Sequence, residues 1–401
     1  MKKKLIFLCE YPFTEHTAFK MEISQLKKEG VDIIINDLSK IIYGNNFSSA
    51  WKTPISKKSL RFSSLLLWLL YFYKLDKRNI VLWNNIRAFN FNSFIIELIL
   101  RIYSKNIILN HFYDIFSKPQ KKTFKVLSSR ILYHKLNFGP YLHFFKVKFL
   151  RFILNFFPYK KVYFLSNNFN YLSIFNAKIK NLIKINFNSY DYSNFLIFKN
   201  KKNRIKKKYA IYLDGGGPYF SGDRLLNNTK LEVCDYDNYY RSLNFFFKKL
   251  ENYLNINIFI IPHPKFKSQK NKSLNPYFDN KKVINDVNVL PKLSSNCLFF
   301  INYKSTAQSF AIAARKPIIL IYSSKYHEET PMDKSVRKHL SKHINNKIID
   351  ICNFKISEVK KCIKVHRKKY DDYKYNFLTP KNKSVENIPN YRILEKLIKE
   401  I

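Results

Sequence analysis

Short apolar segments alternate with amphipathic segments along almost the whole chain. Near the N-terminus, an apolar run at residues 4–8 precedes a helical stretch at 19–28 and a second apolar run at 31–35. Further apolar runs of similar length occur at 80–83, 106–109 and 162–165. Buried strands that alternate with helices are typical of a parallel sheet with crossover helices. The first half of the chain is therefore predicted to form one doubly wound α/β domain.

The same alternation restarts after residues 199–208 (KNKKNRIKKK), which offer almost no side chain to bury. A helix predicted near residues 239–254 carries apolar side chains at the 3.6-residue period of an amphipathic helix. The remaining elements predicted here are strands at 209–213, 256–261, 298–301 and 318–322 and a helix at 306–314. These elements predict a second α/β domain. The predicted units are residues 1–198, a basic linker at 199–208, residues 209–384, and a C-terminal helix at 385–401 that packs back on the first domain.

Composition agrees with two folded domains. The chain has 401 residues, of which 46% are hydrophobic and 17% aromatic, enough apolar surface to build two cores. Five cysteines show neither a CxxC pair nor zinc-type spacing with histidine, which favours a reduced, cytoplasmic protein. The apolar part of the N-terminus is too short for a signal peptide, and the longest apolar run, 65–73, is about half of what a membrane span needs.

The formal net charge of +44 suggests an anionic partner. Codon usage is a competing explanation, because the chain is also rich in Asn, Ile, Phe and Tyr. The lysines are dispersed and no motif for reading DNA or RNA is present, so no nucleic acid partner is expected. Residues 141–160 mix Phe, Leu and Ile with Lys and Arg. This segment is either a basic helix packed on the core or a peripheral contact with the anionic inner face of a membrane.

Glycine is scarce except at one place. Four of the seven glycines, Gly215, Gly216, Gly217 and Gly222, lie within eight positions, directly after the predicted strand 209–213 and Asp214. Ligands of α/β proteins bind at strand carboxyl ends, where glycine permits positive φ or a close approach of the backbone. The alternative is a tight turn that Asp214 caps.

Two further strand ends carry polar side chains. Pro262 and Pro264 flank His263 and stiffen its loop, so that His263 and Lys265 would point at a phosphate; a purely structural histidine is the alternative. Ser305 and Thr306 open the predicted helix 306–314 and would form an anion site at its N-terminus, unless Ser305 is only an N-cap.

These three segments, in this order, resemble the signatures of bacterial GT-B sialyltransferases and Kdo transferases, which use CMP-activated ulosonic acids. The family carries an acid-acid-glycine segment, a His-Pro segment and a Ser-Ser/Thr pair. The counterparts are Asp214-Gly215, His263-Pro264 and Ser305-Thr306, and the resemblance covers about residues 207–325. It implies a GT-B-like fold of two Rossmann-like domains that face a cleft, the first on the acceptor side and the second binding the nucleotide sugar.

The resemblance also implies roles for individual residues. Asp214 would be the general base of an inverting enzyme or the nucleophile of a retaining one, and Leu213, where the family carries a second acid, leaves this choice open. His263 would act in catalysis and, with Lys265, contact the CMP phosphate. The other predicted contacts to the nucleotide or its phosphate are Gly215, Gly216, Pro264, Ser305 and Thr306. Asp223 and Arg224 are assigned to the donor sugar, and Glu10 and His16, after the first strand, to the acceptor side.

The predicted function is therefore transfer of a CMP-activated acidic sugar to a glycan or lipid-linked glycan in surface polysaccharide or lipopolysaccharide synthesis. No cofactor and no metal are expected. Asp235-Tyr236-Asp237 matches a metal-binding DxD motif, but N-capping of the following helix explains it. The alternatives are a GT-B transferase that uses a UDP- or GDP-sugar, and a non-enzymatic basic protein that binds nucleic acid or anionic membrane.

Overall fold

The computed structural model describes most of the chain. The described residues are 3–44, 56–76, 78–87, 89–111, 139–169, 178–201, 205, 207–215, 233–263, 276–278, 282–284, 286, 289–329 and 331–401. They form two parallel sheets, one in each half of the chain.

Seven described strands form the first sheet, and every neighbouring pair is parallel. They are β1 (Lys4–Cys9), β2 (Asp32–Asp37), β3 (Leu60–Arg61), β4 (Ile80–Asn85), β5 (Ile107–Asn110), β6 (Tyr159–Ser166) and β7 (Ile179–Asn186). Their order across the sheet is β3-β2-β1-β4-β5-β6-β7. Because helices cover both faces, the central strands are apolar without alternation, as in β1, where Leu5, Ile6, Phe7 and Leu8 are all buried.

The helices of the first half divide between the two faces of this sheet. They are α1 (Glu15–Lys20), α2 (Ile23–Lys28), α3 (Ser39–Tyr43), α4 (Leu65–Tyr73), α5 (Phe91–Tyr103) and α6 (Gly139–Leu154). Phe7 faces a core shared with α1 and α2, whereas Ile6 and Leu8 face a core shared with α3, α4 and α5. Leu150 and Leu154 of α6 pack on Phe94 of α5, so α6 lies beside α5.

The second sheet has five described strands, all parallel, in the order β10-β8-β11-β12-β14. They are β8 (Tyr209–Leu213), β10 (Asn257–Ile261), β11 (Phe300–Asn302), β12 (Ile318–Tyr322) and β14 (Ile348–Asp350). A short antiparallel pair, β9 (Val233–Cys234) and β13 (His327–Glu328), lies outside this sheet.

The helices that follow β7 cover the second sheet and return to the first. They are α7 (Tyr190–Phe198), α8 (Tyr236–Leu254), α9 (Val289–Ser294), α10 (Ser309–Ala313), α11 (Pro331–Ile344), α12 (Ile356–Lys361), α13 (Arg367–Tyr373), α14 (Lys383–Glu386) and α15 (Asn390–Glu400). Helices α8 and α12 pack on one face of the sheet, and α7, α9, α10, α11 and α13 on the other.

Helix α15 carries the chain back to the first domain. Its buried residues Leu394, Leu397 and Ile398 join the core formed by β1 and α2. The predicted GT-B-like architecture is thus confirmed: two Rossmann-like α/β domains, with the C-terminal helix on the first. The predicted domain limits stay predictions.

Some elements differ from the prediction. The predicted helix at 19–28 is divided, because Glu22 adopts a left-handed conformation with φ of 57° between α1 and α2. The predicted helix at 306–314 begins as a 3₁₀ turn, Thr306–Gln308, and continues as α10. Strand β7 was not predicted, because its Lys and Asn side chains are those of a partly exposed edge strand rather than a buried one. Within the described residues, no helix is both long and apolar enough to cross a membrane.

Candidate functional site

A cleft of about 530 Å³ lies between the two domains, at the carboxyl ends of both parallel sheets. The first domain contributes residues that follow β1, β4 and β5, and the second contributes residues that follow β8, β10 and β11. Among the predicted site residues, six line this cleft: Glu10, His16, Asp214, His263, Ser305 and Thr306. The topology therefore brings together residues that are up to 296 positions apart.

Asp214 and Gly215 directly follow β8, which lies between β10 and β11 in the sheet. Asp214 is 2% exposed, and its backbone N–H donates to the Ile261 carbonyl at 3.0 Å, which keeps the ends of β8 and β10 together. A carboxylate at this position is shielded from solvent and faces the cleft. This environment strengthens its interaction with any charge that develops beside it.

Gly215 brings the β8 turn against the loop that follows β11. A Cβ atom at Gly215 would lie 3.4 Å from the backbone N of Ser305 and 3.5 Å from its Cα and Cβ. Gly215 does not have positive φ. A Cβ atom would therefore touch Ser305 at ordinary contact distance, and a larger side chain at this position would press on the Ser305 loop.

A buried amide network positions Ser305. Asn302 accepts from the Ser305 N–H at 2.8 Å, donates to the Ser305 carbonyl at 3.2 Å and donates to Gln308 Oε1 at 2.6 Å. Gln308 in turn donates to the Tyr373 hydroxyl at 3.1 Å. Asn302 and Gln308 are fully buried and Tyr373 is 2% exposed. This buried network holds the Ser305 loop in position.

Ser305 is also an N-cap, because its Oγ accepts from the Ala307 N–H at 3.3 Å. The hydroxyl proton is not used by that bond, so capping and donation to a ligand are compatible. Thr306 lies next to it at the cleft wall.

His263 follows β10 and is half-buried at the cleft, beside Pro262. The other predicted residues of this loop and of the glycine-rich loop lie outside the described residues: Gly216, Asp223, Arg224, Pro264 and Lys265. Their assignments stay predictions.

The facing wall is built from the first domain. Glu10 is 4% exposed, and its Oε2 accepts from the backbone N–H of Arg87 at 2.6 Å, which joins the loops after β1 and β4. His16 lies in α1 at the same wall, together with Arg87. Cys9 also lines the cleft, but burial and the nearby charges of Asp37 and Glu10 raise the pKa of its thiol well above the usual value. Cys9 is therefore a neutral thiol at physiological pH.

Asp235 and Asp237 have structural partners. Asp235 caps α8 by accepting from the Asn238 N–H at 3.2 Å, and hydrogen bonds from Asn238 lower the pKa of its carboxyl. Asp237 accepts from the Tyr277 hydroxyl at 2.7 Å. Within the described residues, no group of three or more His, Cys, Asp or Glu side chains is arranged to hold a metal ion.

The domains are joined beside the cleft by two adjacent chain crossings, one at residues 187–189 and one at 378–390. The Ser189 N–H donates to the Leu378 carbonyl at 2.7 Å, and Asn188 exchanges hydrogen bonds with Asn390 at 3.0 and 2.9 Å. Asn188 also donates to the carbonyls of Val385 and Ile388 at 3.2 and 2.8 Å.

A buried carboxyl stabilises the second crossing. Glu22 is 1% exposed, and its Oε2 accepts from the Tyr391 N–H at the start of α15 at 2.8 Å. Burial raises the pKa of Glu22 from 4.5 to about 7, although hydrogen bonds from Ser193 and from the Tyr391 backbone oppose the shift. Sequence reasoning missed Glu22, Asn302 and Gln308.

Comparison with known proteins gave the following. No protein-family model matches the chain, and no curated protein sequence matches it. Among solved structures, the H548A variant of the wall teichoic acid polymerase TagF is similar, with a TM-score of 0.48 and 12% identity over 99% of this chain and 89% of that one. The UDP-GlcNAc 2-epimerase of Methanocaldococcus jannaschii has a TM-score of 0.47 and 13% identity over all of both chains. The spinosyn forosaminyltransferase SpnP has a TM-score of 0.40 and 10% identity over 100% of this chain and 95% of that one.

Proposed function

We propose that this protein is a glycosyltransferase that moves a CMP-activated acidic sugar onto a glycan or lipid-linked glycan. One observation carries the proposal: Asp214, His263 and the Ser305-Thr306 pair, from three adjacent strand ends, line a single cleft that a second α/β domain faces. Ligands of α/β domains bind at such strand ends, and a cleft between two domains encloses donor and acceptor together.

The second domain supplies the groups that a departing nucleotide requires. CMP leaves as a phosphate monoester that takes the electron pair of the broken bond between the anomeric carbon and the phosphate oxygen. The hydroxyls of Ser305 and Thr306 and the imidazole of His263 are donors to the phosphate oxygens. Such donors stabilise the leaving group without a metal ion.

Asp214 is the reacting carboxylate in this proposal, and two mechanisms fit its position. In an inverting reaction, Asp214 takes the proton of the acceptor hydroxyl while the acceptor oxygen bonds to the anomeric carbon and CMP departs. In a retaining reaction, the carboxylate itself bonds to the anomeric carbon as CMP departs. The acceptor hydroxyl then bonds to that carbon and releases the Asp214 carboxylate, while the phosphate of the departing CMP takes the hydroxyl proton. The anomeric configuration of the product, determined by NMR, distinguishes the two.

The first domain holds the acceptor in this proposal. Glu10 has one carboxylate oxygen occupied by the Arg87 N–H, which fixes the carboxylate at the wall opposite Asp214. Hydroxyl groups of a sugar are suitable donors to such a carboxylate, and His16 offers a second polar contact on the same wall.

Nucleotide binding tests the donor assignment. Calorimetry with CMP, CDP, UDP and GDP should show binding of CMP, and a structure with CMP should place the phosphate beside His263 and Ser305. Tight binding of UDP or GDP without binding of CMP would mean that the donor is a UDP- or GDP-sugar, and the assignment as a transferase would stand. Binding of nucleic acid or vesicles with no nucleotide binding at all would favour the non-enzymatic alternative.

Asp214→Asn tests the reaction itself. The amide is nearly isosteric, so the fold and CMP affinity should persist, while turnover should fall by a factor of about 10² or more because general-base or nucleophilic catalysis is lost. Asp371→Asn is the matched control, since Asp371 is a half-exposed carboxylate paired with Arg315. Equal turnover of Asp214→Asn and the unmodified protein would contradict the assignment.

A further inference from the structure

The exposed apolar side chains of this protein are concentrated on one layer of the first domain. Of the twenty exposed large hydrophobic side chains among the described residues, twelve lie on α4, α5, α6 or the turn after α6. Helices α4 and α5 pack on one face of the first sheet, and α6 packs on α5. We call their outer surface the helix-layer face.

Helix α6 shows that this exposure is patterned. Phe149 and Phe152, with Phe156 in the following turn, are 62%, 59% and 67% exposed, and their spacing of three and four residues places them on one stripe. Leu150 and Leu154 form the opposite stripe and are buried against α5. The helix is therefore apolar on both sides, although only one side packs on the described core.

The exposed charges of the helix-layer face are positive. In α4, α5 and α6, Glu97 is the only acidic residue, and it is turned inward, where it pairs with Arg101 and accepts from the Tyr159 hydroxyl. Lys146, Lys148 and Arg151 of α6 are exposed between the phenylalanines. Aromatic side chains among cations, with no exposed acid in these helices, are complementary to an anionic lipid surface.

We infer that the helix-layer face docks on an anionic bilayer. Phe149, Phe152 and Phe156 enter the interfacial region, while the neighbouring cations contact lipid phosphates. The helices lie along the face of the sheet, whereas the cleft lies at its strand carboxyl edge, so docking leaves the cleft open. The inference depends on the surface alone and not on the reaction proposed above.

Vesicle flotation tests this inference. The full chain should float with vesicles of phosphatidylcholine mixed with phosphatidylglycerol and not with phosphatidylcholine alone. The double variant Phe149→Ser/Phe156→Ser should bind the mixed vesicles at least about tenfold more weakly, because two apolar contacts are lost without any change in charge. The matched control is Phe245→Ser/Tyr253→Ser on α8, where the side chains are 53% and 55% exposed in the other domain. The control should bind like the unmodified protein.

Three outcomes would overturn the inference. In the first, the unmodified chain does not float with the mixed vesicles. In the second, the Phe149/Phe156 variant floats as well as the unmodified chain, and the attraction is then due to charge alone. In the third, sedimentation equilibrium finds a dimer that the variant abolishes while neither form binds vesicles, which would assign the face to a second copy of this chain. Circular dichroism and CMP calorimetry on the same variants distinguish each outcome from misfolding and from failure of the proposed function.

Discussion

Asn302 offers the sharpest test of how the cleft is built. Asn302→Ala removes two hydrogen bonds to the backbone of Ser305 and one to Gln308 in a fully buried site. Each buried polar group that loses its partner costs about 1–3 kcal/mol, and Ser305 recovers part of this from solvent. The free energy of unfolding should therefore fall by about 2–4 kcal/mol.

The effect on ligand binding follows from the same contacts. Without Asn302, the Ser305 loop keeps its native position in only a fraction of the molecules, and the apparent Kd for nucleotide rises by the inverse of that fraction. If the displaced conformations of the loop become more stable than the native one by about 1.4 kcal/mol, the apparent Kd rises about tenfold. Urea unfolding measures the first quantity, and calorimetry with CMP measures the second.

Asn346→Ala is the matched control. Asn346 is 5% exposed and donates to the carbonyls of Ile318 and Cys362, each at 2.9 Å, on the side of the domain away from the cleft. It should destabilise the protein by a similar amount and leave the CMP affinity unchanged. If both variants lose affinity equally, or if Asn302→Ala binds CMP like the unmodified protein, the positioning role of Asn302 is refuted.

Two further predictions concern Gly215 and Glu22. Gly215→Val should weaken CMP binding more than Gly215→Ala, because a Cβ atom is already at contact distance from Ser305 and two more methyl groups force the loops apart; calorimetry on the pair checks the order. For Glu22, the folded protein retains between pH 4.5 and about 7 a proton that the unfolded chain releases. The contribution of protonated Glu22 to the free energy of unfolding is therefore fully present below pH 4.5 and is lost as pH rises through about 7. The free energy of unfolding should fall by about 3 kcal/mol over that range. Glu22→Gln should flatten this slope in urea titrations on either side of the window, and an unchanged slope would exclude Glu22 as its source.

The local pattern of the sequence carries much of the fold. β8 is apolar at every position, and glycine follows it in a chain that otherwise avoids glycine, so both the strand and its loop are predictable. Strand β12 has the same continuous apolar pattern. The short polar motifs after β8, β10 and β11 mark strand ends, and parallel strands of one sheet present these ends at one edge.

The residues that were missed depend on contacts between distant parts of the chain. Asn302 is one amide in the segment FINYKST, and its role depends on Gln308 and on Tyr373, 65 positions after Gln308. Glu22 lies in a stretch with neither Gly nor Pro, yet it breaks the helix there. Its carboxylate accepts from Tyr391, which is 369 positions away. Local periodicity contains no information about such pairs.

The two crossings at residues 187–189 and 378–390 lie against each other and are joined by hydrogen bonds, so they form one two-stranded hinge. Rotation of one domain about the axis of this hinge leaves those hydrogen bonds in place, whereas sliding or twisting of the domains would break them. A movement of one wall of the cleft against the other that keeps these bonds is therefore a rotation that opens or closes the cleft. A ligand that touches both walls can restrict this motion simply by bridging them.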